Sequence, residues 1–215
     1  MNEQTLKQHF LAQLDATGLV AILRGIRPNE VRAIGTTLYK TGFRLIEIPL
    51  NSPNPLRSIE HLVAELPPDT LVGAGTVMTP TQVANVHAAG GRLIVMPHSD
   101  PQVIRAAADA NLIVLPGVAT PTEAFAALAA GATSLKAFPA ELLTPTIVKA
   151  WRAVLPHDIR LLPVGGITPD KLQAYLEAGA SGFGLGGALY RPGDTAEKVR
   201  QNAQAFMSKW QQVRK

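Results

Sequence analysis

The chain has 215 residues, 47% of them hydrophobic and 17% charged, with no cysteine and a formal net charge of +4. That length and apolar content suit one domain over 1–215, and the missing cysteines exclude disulfides, thiolate metal sites and a cysteine nucleophile. The basic residues are dispersed and aromatics make up only 5%, so the expected partner is a small anion and not nucleic acid.

The first dozen residues are amphipathic and polar-rich, which predicts an extra N-terminal helix and not a signal peptide. No apolar run reaches the ~18 residues of a membrane span, so the chain is expected to be cytoplasmic, with no membrane partner. From there short apolar runs alternate with longer segments of helical spacing. The runs are 20–23, 45–50, 71–73, 92–96, 112–115, 134–138, 161–164 and 182–185. Helical segments include 29–41, 81–89, 101–110, 121–130, 169–178 and 195–215, several opened by Pro or Asn and closed by Gly42, Gly90, Gly131 and Gly179. The last carries Val199, Phe206 and Trp210 among charged residues. This rhythm predicts an α/β chain closed as a (β/α)8 TIM barrel whose bottom the N-terminal helix caps. An open doubly wound sheet is the weaker reading, because Leu23-Arg24-Gly25-Ile26-Arg27-Pro28 stands where a GxGxxG turn would follow the first strand.

Chemistry in such barrels sits where strands end at their C-terminal side. Those positions are Arg24, Glu47, Asn51, Thr76, Pro97, His98, Pro116, Gly117, Lys136, Phe138, Gly165, Gly166, Gly186 and Gly187. Alternation puts Ser134, Lys136 and Phe138 on one strand face and Leu135 and Ala137 on the other. If the apolar pair faces the helices, Lys136 points inward. Loss of water there favours its neutral amine, which attacks a ketone to form a Schiff base. The competing reading is a structural ion pair. Glu47, an acid inside an apolar run, either neutralises Lys136 or Arg24 or moves protons. Two Gly-Gly pairs after the last two strands suit a phosphate, against the plainer reading of tight turns. Arg24 is placed to meet a substrate carboxylate or phosphate, and Thr76 a carboxylate, with a solvated rim arginine and a turn or helix cap as the alternatives. Phe138 reads as wall packing and His98 as a possible substrate contact. No metal-binding histidine spacing occurs, which disfavours a metal-dependent aldolase. A phosphate-binding barrel isomerase or epimerase shares these features, and so does a sugar-phosphate-binding module in which Lys136 and Glu47 are only a buried pair.

Five segments carry a resemblance: Val20-Ala21-Ile22-Leu23-Arg24-Gly25, Glu47-Ile48-Pro49-Leu50-Asn51-Ser52-Pro53, Gly73-Ala74-Gly75-Thr76-Val77, Leu135-Lys136-Ala137-Phe138-Pro139 and Val164-Gly165-Gly166-Ile167-Thr168-Pro169. Together they resemble the bacterial 2-keto-3-deoxy-6-phosphogluconate and 2-keto-3-deoxy-6-phosphogalactonate aldolase family, over almost the whole chain. The resemblance implies a class I aldolase with Lys136 as the Schiff-base residue and Glu47 as general acid/base. It also implies a phosphate cradle at Gly165, Gly166 and Gly186, a homotrimer, no metal or other cofactor, and release of pyruvate and glyceraldehyde 3-phosphate. The phosphogluconate enzymes resemble one another in carrying arginine where this chain has Asn51 and threonine where it has Val164. The pattern here looks like the phosphogalactonate branch, and exchanging a hydroxyl for a methyl near the sugar is a physical route to telling epimers apart. Pro97-His98 and Gly187 depart from the family pattern, which has Pro-Asn or Pro-Gly and often a serine at these places.

Overall fold

A computed structural model describes residues 3–214. Helices and short strands alternate as α1 (Glu3–Thr17), β1 (Leu19–Ile22), α2 (Val31–Lys40), β2 (Leu45–Pro49), α3 (Pro55–Glu65), β3 (Leu71–Gly75), α4 (Pro80–Ala88), β4 (Leu93–Val95) and α5 (Pro101–Asp109). Then follow β5 (Ile113–Leu115), β6 (Gly117–Val118), α6 (Pro121–Ala129), β7 (Leu135–Ala137), α7 (Pro145–Arg152), β8 (Leu161–Pro163), α8 (Leu172–Glu177), β9 (Phe183–Leu185) and α9 (Ala196–Val213). Every strand pairing is parallel, so this is an α/β fold built on a curled parallel sheet.

The helices begin and end for local reasons. Pro opens α3, α4, α5, α6 and α7, where its missing N–H costs no hydrogen bond. Thr79, Asp100, Thr120 and Thr195 cap α4, α5, α6 and α9 by accepting backbone N–H bonds, and Thr120 and Glu123 form a capping box. After α2 and α4 the chain turns through Gly42 and Gly90 at φ 107° and 85°, a region that costs most side chains energy. The capped starts bound the loops at the C-terminal ends of the strands, and the glycine stops bound those at the N-terminal ends.

Two hydrogen-bonded sets of strands form, in the orders β5-β4-β3-β2-β1-β9 and β6-β7-β8. The sequence marks one fifth run at 112–115, but the strand continues as β6 beyond a one-residue break at Pro116. Proline has no N–H to give to a ladder, while its carbonyl still accepts from Lys136 N at 2.9 Å. At the other junction a single bridge joins Val164 to Gly184.

Alternation along the strands separates two apolar layers. Leu19, Ala21, Ile46, Ile48, Leu135 and Ala137 belong to the layer under the helices. Val20, Leu45, Leu71, Leu93, Ile113, Leu115 and Leu162 form the inner one, against Leu6, Phe10 and Leu14 of α1. Three side chains of α1 therefore pack on this inner layer; of the first dozen residues, 1 and 2 lie outside the described ones. Among the described residues no helix is long and apolar enough to cross a membrane.

Candidate active site

The inner face changes character toward the C-terminal ends of the strands. Lys136 of β7 is 6% exposed and Glu47 of β2 is 1% exposed. Leu135 and Ala137 do face the helices, which turns Lys136 inward. Its Nζ lies 4.6 Å from the centre of the Phe138 ring. Burial pushes the lysine below its ordinary 10.5; Glu47 opposes that shift and Arg24 adds to it. Burial also pushes the Glu47 carboxyl up to about 7, against the pull of Lys136 first and Arg24 second. The two groups thus sense each other and the same arginine. Among the described residues Lys136 and Glu47 are not joined as an ion pair, and Oε2 of Glu47 has no hydrogen-bond partner.

Gly75 makes room for that carboxylate. A Cβ on Gly75 would overlap Oε2, Oε1 and Cδ of Glu47, so the acid lies flat against bare backbone of the next strand. Directly after it, Thr76 is half-buried at φ 56°, a region rarely open to a β-branched residue and concentrated at functional sites. The cap of α4 is Thr79 and not Thr76, so Thr76 is not a helix cap.

Arg24 is exposed at the end of β1, and its Nη1 donates to Asn51 Oδ1 at 2.7 Å. The neighbouring Gly25 N–H donates to Ser52 Oγ at 2.9 Å. Half-buried Pro97 follows β4 and presses its backbone against Gly117, where any Cβ would collide. His98 is half-buried, with an unpartnered Nδ1. Phe138 is half-buried beside Lys136. Buried Val164 lies against Gly184, whose Cβ would fall 2.7 Å from Val164 Cγ2.

Gly165 and Gly166 take φ 117° and 56°. Nothing lies within 4 Å of a Cβ built on Gly186, and the Gly187 carbonyl accepts from Arg191 Nε at 2.9 Å. Among the described residues no acceptor takes the N–H of Gly166, Gly186 or Gly187. The Glu141 carboxylate lies against the Gly165–Gly166 turn, where a Cβ on Gly165 would overlap Oε2. Strand-end reading passes over Glu141 because it sits in a loop beyond β7. It likewise passes over Ser52, whose only signal is its place beside Asn51. Among the described residues no cluster of His, Asp or Glu is arranged to hold a metal ion. A cleft of about 970 Å³ lies elsewhere, at the N-terminal ends of β8 and β9, lined by Asp15, Arg160, Trp210 and Arg214. Its Arg160 is already paired with Asp15 at 2.9 Å.

Both the sequence and the fold match known proteins. A family model described as "Aldolase: KDPG and KHG aldolase" matches residues 11–204. The chain belongs to the KDPG and KHG aldolase family. A curated member, the "Probable 2-dehydro-3-deoxy-6-phosphogalactonate aldolase" of Rhizobium meliloti (strain 1021), is 49% identical over 195 residues, covering 91% of this chain and 92% of the relative. The solved structure described as native KDPGal is 45% identical with a TM-score of 0.89, over 91% of this chain and 95% of that one. A KDPG aldolase from Legionella pneumophila, solved with pyruvate captured at low pH as a covalent carbinolamine intermediate, is 25% identical with a TM-score of 0.77, over 95% and 98%. The aldolase fold is thus shared along nearly the whole chain.

Proposed function

We propose that this family member is a class I aldolase that cleaves 2-dehydro-3-deoxy-6-phosphogalactonate into pyruvate and D-glyceraldehyde 3-phosphate. The observation that carries the reading is the burial of Lys136 and Glu47 on the inner face of one sheet, each with its pKa displaced toward the neutral form. The neutral Lys136 amine attacks the C2 ketone, giving a carbinolamine. Glu47, held near 7, protonates the departing hydroxyl, and loss of water leaves an iminium. Glu47, now a carboxylate, takes the proton of the C4 hydroxyl, directly or through one water. The C3–C4 bond then breaks, its electron pair flows into the iminium as an enamine, and glyceraldehyde 3-phosphate departs. Protonation at C3 and hydrolysis of the imine release pyruvate and restore Lys136.

The other positions divide the substrate between them. Arg24 and Thr76 serve its anionic and keto-acid end, Phe138 and Pro97 wall the reacting carbons, and the amides of Gly165, Gly166, Gly186 and Gly187 receive phosphate. Phosphate at the first pair requires the exposed Glu141 side chain to swing aside. Val164 in place of a hydroxyl, with the higher identity to relatives named for the galacto substrate, favours that epimer over phosphogluconate. We read the strands as one closed (β/α)8 barrel over a single domain, 1–215, with β5 and β6 as one interrupted strand and α1 closing the bottom. The short break at Pro116 and the bridge from Val164 to Gly184 support that closure. The working unit is a cytoplasmic homotrimer that needs no cofactor or metal.

Incubation with pyruvate and sodium borohydride, followed by peptide mass mapping, tests the mechanism. The expected product is a reduced pyruvyl adduct on Lys136 that is lost in Lys136→Ala. An unmodified protein removes the Schiff base and leaves the isomerase reading.

A further inference from the structure

The loop after β2 holds the loop after β1 at two points. Asn51 Oδ1 accepts from Arg24 Nη1 at 2.7 Å, and Ser52 Oγ accepts from the adjoining Gly25 N–H at 2.9 Å. Ser52 is buried, and Gly25, at φ 82°, has Pro192 packed where a side chain would project. The Leu23 N–H, one residue earlier, donates to the carbonyl of Glu47 at 3.0 Å. The backbone under Arg24 is therefore fixed to the strand that carries Glu47.

An exposed arginine is a long, flexible side chain that samples many rotamers. Here one guanidinium nitrogen is anchored and the others remain available. The anchor is a neutral amide. A carboxylate at the same place would pair with the guanidinium and cancel its charge, whereas an amide oxygen orients it and leaves the charge free.

We propose that Asn51 is a positioning residue which, with Ser52 fixing the backbone, aims Arg24 as an uncancelled cation at an anionic end of the substrate bound at Lys136. The inference rests on the aldolase reading above and adds to it the residue that sets the receptor's geometry. Asn51 acts through Arg24 and touches no reacting atom.

Steady-state kinetics on the full chain test it with Asn51→Ala, Asn51→Asp, Arg24→Met and the double variant Arg24→Met/Asn51→Ala. Loss of a hydrogen bond to a charged group is expected to raise KM about tenfold in Asn51→Ala while kcat stays within about twofold and pyruvate still traps on Lys136. Asn51→Asp keeps an acceptor but raises KM further by cancelling the cation. In the Arg24→Met background, Asn51→Ala adds no further rise. Competitive inhibition by pyruvate and by glycerol 3-phosphate identifies the anion: weakening confined to one assigns carboxylate or phosphate to Arg24, and weakening of neither overturns the proposal. A raised KM in Arg24→Met with none in Asn51→Ala refutes the anchor and leaves the aldolase reading intact. An undiminished Asn51 effect without Arg24 refutes it too. An unchanged KM in Arg24→Met removes the receptor itself, and with it this inference.

Discussion

On β2 a single inward step separates Leu45, packed against the N-terminal helix, from Glu47, a carboxylate with an unpartnered oxygen. Both are buried equally deeply, yet water is excluded from them with opposite consequences. At the N-terminal end, Leu6, Phe10 and Leu14 meet inner-face leucines, and each buried side chain stabilises the fold by about 1.5–3 kcal/mol. At the C-terminal end, desolvation works against the charged forms of Lys136 and Glu47, so the fold maintains them at a cost in stability. One inner sheet face carries both jobs, with the apolar end supplying the stability that the reactive end lowers.

Substitution at the reactive end is expected to have the largest effect. Glu47→Gln should lower kcat about 10²- to 10⁴-fold, the usual size of a lost general acid/base. It should also separate reactivity from stability. The folded pKa of Glu47, about 7, lies above its ordinary 4.5. Its contribution is therefore fully present below the lower value and lost as pH rises through the higher one. Glutamine does not titrate, so the variant should gain stability relative to the parent across that window and hold a constant advantage above it. Urea unfolding at successive pH values measures this; a difference independent of pH would break the contrast between the two ends.

Phe10→Ala attacks the other end. It should remove about 3–5 kcal/mol of stability, the usual range for a large core side chain replaced by alanine. Activity per folded molecule should stay at the parent level, measured under conditions where urea titration shows the variant folded. A matching fall in kcat would mean that the apolar plug also shapes the chemistry. The smallest effect belongs to Thr76→Gly. Relief of the left-handed backbone should raise stability by about 1 kcal/mol, while KM rises through loss of the hydroxyl. Thermal unfolding and saturation kinetics on one preparation check both signs.

Much of this arrangement is legible in the sequence because strands and helices have different periods. Runs such as 45–50 and 134–138 fall on β2 and β7, and Gly42 and Gly90 end helices as read. Lys136 and Glu47 stand out because a charge inside an apolar run is visible without coordinates. What stays hidden is whatever depends on two distant loops meeting. The bond between Arg24 and Asn51 and the approach of Glu141 to Gly165 have no period and no spacing to reveal them. The strand break is a milder case: Pro116 announces a missing donor, but two residues beyond it carry too little alternation to be recognised as strand.

The contact between Glu47 and Gly75 ties the fate of two positions on different strands. Any side chain larger than hydrogen at 75 would force the carboxylate to shift, so a randomised library selected for turnover is expected to favour glycine there although that residue performs no chemistry. Shrinking residue 47 would lift the restriction only by removing the acid. A search for new specificity in this scaffold is thus channelled away from β3 and toward the loops that carry Asn51 and Glu141.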